Sequence, residues 1–151
     1  MSGGRAFVSG RNNFRESLFT DSSALLLYPL TFKHMDRFGD EGAGFSIEFD
    51  AAAGAVSVRA WGFWGADVAK AFGPAVRDAC SNKPAGTLVR MDMTALKPMR
   101  EEGQLSFGSI VSQLPQLGIG QLRIQTSSQL TKLQIVRIAS EHGKAQFIQV
   151  D

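Results

Sequence analysis

One segment of the chain combines carboxyl, hydroxyl and amino groups where a strand is predicted to end and a helix to begin. The segment is Asp92-Met-Thr-Ala-Leu-Lys-Pro-Met-Arg-Glu-Glu-Gly103. In open α/β sheets, the crevice outside the carboxyl ends of the strands is where ligands usually bind. A phosphoryl group carried by Thr94 would meet free backbone N–H groups and the positive end of the helix dipole. The simpler role of this threonine is a capping or turn hydrogen bond, and Ser106 is a weaker candidate for modification.

A second unusual segment, Trp61-Gly-Phe-Trp-Gly65, lies between a predicted strand and the first predicted helix. Large aromatic side chains are enriched at protein interfaces, so Trp61, Phe63 and Trp64 could form an exposed anchor for a partner. They could equally fold down as a lid on the core, and at least one of them is expected to pack inward.

The sequence contains none of the common motifs of catalytic, nucleotide or metal sites. It has no nucleophile elbow and no glycine-rich phosphate loop. Its two histidines, His34 and His142, have no further ligand residues at metal-binding spacing. We therefore predict no catalytic residue, no metal and no cofactor. An enzyme that uses Asp92 as a general base is a minority alternative, because no nucleophile or acid stands beside it in the sequence.

Length and charge narrow the class of protein further. A chain of 151 residues, 44% of them hydrophobic, can build one core but not two ordinary domains. Residues 35–151 carry twelve Lys/Arg and twelve Asp/Glu, so the net charge of +2 comes from residues 1–34. A neutral body gives no electrostatic basis for binding nucleic acid. The single cysteine, Cys80, excludes an intrachain disulfide and suits a reducing cytoplasm, where we expect the protein to lie.

The domain boundary is predicted from where the apolar patterns begin. Residues 1–44 are predicted to be an N-terminal arm that is partly disordered or lies upstream of the true start. Whether translation begins at Met1 or Met35 is left open. No apolar run approaches the ~20 residues of a membrane helix, so no transmembrane segment is predicted. Residues 45–151 are predicted to form the folded domain.

Apolar periodicity predicts a β-hairpin followed by alternating helices and strands. The predicted elements are strands 45–49 and 55–61, helix 66–80 with a kink at Gly73-Pro74, strand 87–93, loop 94–99, helix 101–114, strand 121–126, a helix from 127 or 128 to 142 and strand 145–150. The strand at 87–93 should be central and parallel to its neighbour. The last helix is expected to bury a wide apolar arc, comprising Leu133, Ile135, Val136, Ile138 and Ala139. The predicted fold class is therefore α/β, a single domain with a mixed sheet opened by a hairpin and packed with helices.

This layout resembles the STAS domain, a family named for sulphate transporters and anti-sigma factor antagonists, over roughly residues 45–150. The resemblance rests on Gly62 before the first helix, on the strand Leu88-Val-Arg-Met-Asp92 and on the loop that leads from it into a helix. The family has Asp-Ser-Ser/Thr-Gly at the start of this helix, where the present chain has Arg100-Glu-Glu-Gly103. A glutamate therefore fills the position of the phosphorylatable residue.

The resemblance implies a non-catalytic protein-interaction module in bacterial signalling, similar to an anti-sigma factor antagonist whose phosphosite is replaced by Glu. The two carboxylates could imitate a permanently charged state or simply favour the helix N-terminus. The expected partner is a protein that regulates signalling, and a homodimer is left open. The predicted interaction surface comprises Asp92, Thr94, Lys97, Glu101, Glu102 and Gly103, with Trp61, Phe63 and Trp64 as an aromatic anchor.

The alternative function is that of a STAS-like domain that binds a small apolar ligand or lipid. The aromatic segment would then form the mouth of an apolar pocket, which is the usual lining of a small-molecule site. In that case, the substitution Trp64→Ala should release a ligand that co-purifies with the protein.

Overall fold

The computed structural model of the protein describes residues 35 to 151. Within this range the chain forms a six-stranded sheet and three α-helices, so the predicted α/β class is confirmed. The elements in chain order are β1 (Met35–Gly39), β2 (Ala43–Asp50), β3 (Ala55–Gly62), α1 (Ala66–Cys80), β4 (Leu88–Leu96), α2 (Glu101–Gln113), a 3-10 turn (Leu114–Leu117), β5 (Gln121–Gln125), α3 (Gln129–Glu141) and β6 (Ile148–Val150).

The strands lie in the sheet in their chain order, from β1 to β6. The first three pair antiparallel, which confirms the predicted hairpin of β2 and β3. From β3 to β6 every pairing is parallel, and β4 lies between β3 and β5 as predicted for a central strand.

Strand β1 was not predicted, and the sheet begins at Met35 rather than at residue 45. The strand is short and lies at the sheet edge, so it shows little of the alternation that reveals a half-buried strand. Its Phe38 ring stacks on Phe45 of β2 at 5.7 Å, which ties the strand to the rest of the sheet. The remainder of the predicted arm, residues 1–34, lies outside the described residues.

All three helices pack on the same face of the sheet, because their buried side chains join alternate strand residues in one core. Sequential parallel strands joined by right-handed crossovers require this arrangement. The largest fully buried side chains include Phe45, Phe72, Met91, Phe107, Ile124 and Ile135. The other strand side chains point to the opposite face, where none of the described helices packs. We call this surface the open face; it includes Arg37, Ser46, Glu48, Ser57, Arg59, Trp61, Arg90, Asp92, Thr94, Arg123 and Gln125.

Helix α1 has the predicted bounds and runs unbroken through Gly73 and the exposed Pro74. The Gly73 N–H donates to Ser106 Oγ on α2 at 2.7 Å, and a Cβ at this glycine would lie only 2.9 Å from that oxygen. The glycine therefore lets α1 and α2 approach closely. The same contact occupies Ser106, the weaker modification candidate, in helix packing.

Strand β4 is longer than predicted, because Thr94 to Leu96 continue the strand instead of forming a loop. These residues pair with the end of β3, where Ala95 lies opposite Trp61 and Leu96 opposite Gly62. The pairing partner is more than thirty residues away in sequence, so local patterns did not reveal the extension.

Helix α3 begins as predicted, with Ser128 Oγ accepting a hydrogen bond from the Thr131 N–H at 3.2 Å. The prediction of a wide buried arc is wrong for two residues, since Leu133 is 63% exposed and Val136 is 47% exposed. At about 100° per residue, the buried Ile135 and Ile138 define the inward face and Leu133 points away from it.

Candidate interaction surface

Asp92 and Thr94 form a local hydrogen-bonded pair on the open face. The Thr94 hydroxyl donates to Asp92 Oδ1 at 2.7 Å, and the Thr94 N–H donates to the same oxygen at 3.0 Å. These bonds, with a smaller contribution from the charge of Arg59, lower the pKa of the Asp92 carboxyl group. A carboxylate stabilised in its charged form is a weak proton acceptor, which counts against Asp92 as a general base.

The connection from β4 to α2 is held by hydrogen bonds to other elements. The Lys97 N–H donates to the Gly62 carbonyl oxygen at 2.9 Å. Gln134 of α3 binds both backbone groups of Met99: its Oε1 accepts from the Met99 N–H at 3.0 Å, and its Nε2 donates to the Met99 carbonyl oxygen at 2.9 Å. Gln104 Nε2 donates to that same carbonyl oxygen at 3.0 Å. The connection is therefore clamped between α2 and α3.

Gln134 was missed by sequence reasoning, although it does most to fix this connection. It lies 35 residues after Met99 and belongs to another helix. A glutamine on a helix gives no local signal of a partner that distant. Only the packing of α3 against the start of α2 brings the two together.

The first turn of α2 places Glu101 and Glu102 in solvent. The residue before them, Arg100, makes no side-chain capping bond to the helix. The two carboxylates therefore stabilise α2 through the positive end of its dipole. Gly103 is buried, and a Cβ there would lie 3.1 Å from Met99 Cβ, so this glycine makes room for the clamped connection.

The six residues of the predicted surface therefore lie in three places. Asp92 and Thr94 belong to the open face, and Gly103 is buried beneath Met99. Lys97, Glu101 and Glu102 are exposed together where β4 ends and α2 begins. Only these last three side chains share one accessible edge of the domain.

The three residues of the predicted aromatic anchor also lie in different environments. Trp61 and Trp64 are buried, at 6% and 5% exposure, whereas Phe63 is 51% exposed. Gly62 has a φ of +82°, and a Cβ there would collide with the Gly42 carbonyl oxygen. This turn directs the two tryptophans to opposite faces of the sheet.

Each tryptophan is fixed by a hydrogen bond from its ring nitrogen. Trp64 Nε1 donates to the Gly44 carbonyl oxygen at 3.1 Å, and its ring packs at 4.7 Å from the Phe72 ring in the core. Trp61 Nε1 donates to the Asp40 carbonyl oxygen at 2.8 Å on the other side. The interpretation as three exposed anchors is thus wrong for both tryptophans. Phe63 remains in solvent, with the Arg100 guanidinium 4.5 Å from its ring centre.

Several other large apolar side chains are exposed near the same edge. Because β3, β4 and β5 are parallel, the segments that follow them lie side by side along their carboxyl ends. Leu105 of α2 is 68% exposed, and Leu130 and Leu133 of α3 are similarly accessible. Sequence reasoning missed Leu105 and Leu130. A helical projection centred on Ile135 would have left Leu130 and Leu133 on the outside.

Groups capable of other chemistry are few in residues 35–151. Among these residues, His, Cys, Asp and Glu side chains do not cluster into a group of three that could hold a metal ion. Burial raises the pKa of the Cys80 thiol to about 11, with the charge of Lys83 opposing the shift, so Cys80 is a packed thiol. None of the helices in this range has the length and apolar character needed to span a membrane.

No protein-family model matches the chain, and a comparison with curated proteins found no significant match. The resemblance to the STAS domain therefore stays a prediction.

Proposed function

We propose that the protein is a non-catalytic protein-interaction module in bacterial signalling, similar to an anti-sigma factor antagonist with glutamate at the phosphosite. Its docking surface consists of Phe63, Lys97, Glu101, Glu102, Leu105, Leu130 and Leu133. The observation that carries this proposal is the exposure of large apolar side chains along the edge where α2 and α3 begin. Exposed apolar groups that gather in one region are typical of protein interaction sites.

The clamp on the preceding connection supports the same function. Binding costs less free energy when the surface is already ordered, because fewer side chains and loops must be fixed. The two hydrogen bonds between Gln134 and Met99 hold the start of α2 against α3. The docking surface is therefore carried by helices that are hydrogen-bonded to this connection and contribute side chains to the core.

Charge at this edge indicates what the partner should carry. Glu101 and Glu102 are exposed and adjacent, and no described basic group forms an ion pair with either. A partner with an apolar centre and a Lys or Arg at its rim would match both features. Such charges set partner choice and association rate more than affinity.

The chemistry of the candidate reactive groups favours binding over catalysis. The Asp92 carboxyl group has a lowered pKa, and the Cys80 thiol has a pKa raised to about 11. At neutral pH, neither group is poised for proton transfer or nucleophilic attack.

The proposal is tested by affinity purification of the tagged protein from its native host, with quantitative mass spectrometry. A partner should be retained by the wild type and lost with the double variants Leu105→Ser/Leu133→Ser and Glu101→Lys/Glu102→Lys. Phe38→Ser is the control, because Phe38 is also an exposed apolar side chain but lies on β1, the edge strand furthest from β5 and β6 in the sheet. Since the Phe38 ring stacks on Phe45, circular dichroism must first show that this variant is folded. A partner lost equally with the control variant, or retained by both double variants, would contradict the proposal.

A further inference from the structure

The open face carries four exposed arginines and no lysine among the residues that the structure describes. Arg37 lies on β1, Arg59 on β3, Arg90 on β4 and Arg123 on β5. Residues 35–151 as a whole have no net charge. The four arginines therefore gather on this face although the domain has no general excess of basic residues. Arg37 and Arg59 lie over the Trp61 ring, at 4.7 and 5.3 Å from its centre. The other two arginines have a different environment.

Arg90 and Arg123 lie directly opposite each other on the neighbouring strands β4 and β5. Like charges at opposite positions of adjacent strands destabilise a sheet. Arg123 Nε donates to Gln121 Oε1 at 3.0 Å, and in the described part of the chain neither arginine forms an ion pair. Asp92 is hydrogen-bonded to Thr94, and the basic residue whose charge lowers its pKa is Arg59. Neither guanidinium group is therefore ion-paired within residues 35–151.

A groove of about 420 Å³ runs between these two side chains. Ser57 and Gln125 also line it, and each adds a polar group beside the arginines. Asp92 and Asp151 line it as well, and Asp92 is hydrogen-bonded to Thr94. The groove is thus a shallow depression of mixed charge on the open face, in which two guanidinium groups lie on neighbouring strands.

A phosphate monoester is the anion that matches this pair. It carries a charge of about −1.5 to −2 near pH 7, which can balance both guanidinium groups, whereas a carboxylate balances one. Its three acceptor oxygens also allow paired hydrogen bonds from each planar guanidinium.

The shape and charge of the open face indicate what carries the phosphate. Sites for small molecules usually enclose most of the ligand surface, which a groove on a flat sheet does not do. A nucleic acid would bring further phosphates against the carboxylates of Glu48, Asp92 and Asp151. It would also find no open stacking surface at Trp61, which is 6% exposed. A protein segment with one phosphate and mixed charges fits better.

We propose that Arg90 and Arg123 bind a phosphorylated residue of a protein segment that lies across the open face. This site is on the side of the sheet opposite the helices. It therefore does not depend on the docking surface proposed above, and either can fail alone.

The test uses the full chain and two fluorescein-labelled degenerate peptide libraries that differ only in a central phosphoserine or serine. Fluorescence anisotropy should show binding of the phosphoserine library at least about tenfold tighter, since charged bidentate contacts are strong. Arg90→Gln and Arg123→Gln should each remove this preference. Arg77→Gln is the matched control, because Arg77 is exposed on α1 beside Asp78 and should retain it.

Three results would overturn the proposal. Equal affinity for the two libraries, or no binding of either, would remove the phosphate-specific site. A preference that survives both arginine substitutions would place the site elsewhere. Tighter binding of a single-stranded oligouridine, lost with the same substitutions, would assign the open face to nucleic acid instead. Because both arginines are exposed, thermal melting should show that the variants remain folded.

Discussion

The two sides of the sheet are built by the same strands but leave different chemistry in solvent. Beside the helices, the exposed groups include Phe63, Leu105 and Leu133, which suit dry contact with another protein. On the open face, they include Arg90 and Arg123, which suit a discrete anion. We propose that the domain presents two separate binding surfaces, and binding at the charged one should weaken more as salt screens its charges.

Residue type alone does not decide what a side chain does in this domain. Trp61 and Trp64 are three residues apart and equally buried, yet Trp64 belongs to the core and Trp61 lies beneath two arginines. Leu133 and Ile135 are neighbours on α3, yet Leu133 is exposed and Ile135 is fully buried. In each pair, the direction in which the side chain points relative to the sheet decides whether it joins the core.

The largest expected effect concerns the two tryptophans. Trp64→Ala should lower the free energy of unfolding by about 3–5 kcal/mol, because it opens a cavity against Phe45 and Phe72 in the core. Trp61→Ala should cost less, since the Trp61 ring lies outside the core cluster, beneath Arg37 and Arg59. Urea denaturation followed by circular dichroism measures both. A larger loss of stability in Trp61→Ala than in Trp64→Ala would contradict the assignment of Trp64 to the core and Trp61 to the open face.

The next effect separates the inner and outer sides of α3. Ile135→Ala should lower the free energy of unfolding by about 2–5 kcal/mol. Leu133→Ala should change it by no more than about 0.5 kcal/mol, because the side chain is 63% exposed. Chemical denaturation of the two variants provides the comparison. Similar losses for both would mean that Leu133 is covered within the chain and unavailable to a partner.

A smaller effect is expected at the clamp. Gln134→Ala should lower the free energy of unfolding by about 1–3 kcal/mol, because it leaves the partly buried Met99 N–H without its acceptor, while the Met99 carbonyl oxygen keeps its bond from Gln104. Hydrogen exchange at the Met99 amide should accelerate with it. Gln113→Ala is the control, since Gln113 only donates to Ser109 on its own helix. Unchanged exchange at Met99 would show that the connection is held without Gln134.

The smallest effect has the opposite sign. Arg90→Gln should raise the free energy of unfolding by about 0.2–1 kcal/mol, because it removes a like-charge pair across β4 and β5. The gain should shrink as salt screens the charges. Arg77→Gln, which removes a charge beside Asp78, should give no such gain. A loss of stability in Arg90→Gln would indicate that an anion-independent contact already satisfies this arginine.

Much of the fold could be predicted because its signals are local. Helix α1 shows strong 3.6-residue periodicity, and its bounds, Ala66–Cys80, were predicted correctly. Strand β1 and the end of β4 were missed because they are defined by pairing with distant residues. The candidate site shows the same contrast between local and distant signals. Glu101 and Glu102 could be placed at a helix start from the sequence alone. The clamp by Gln134 and the directions of Trp61 and Trp64 depend on tertiary contacts.

The edge where α2 and α3 begin is the surface that we propose docks a protein partner. The most direct measurement is photo-crosslinking in the native host, with a benzoylphenylalanine at position 133 and, as the control, at position 38. We predict a discrete crosslinked protein from position 133 that is absent from position 38 and is lost when Glu101→Lys/Glu102→Lys is added. The same products from both positions, or no product from position 133, would contradict the claim.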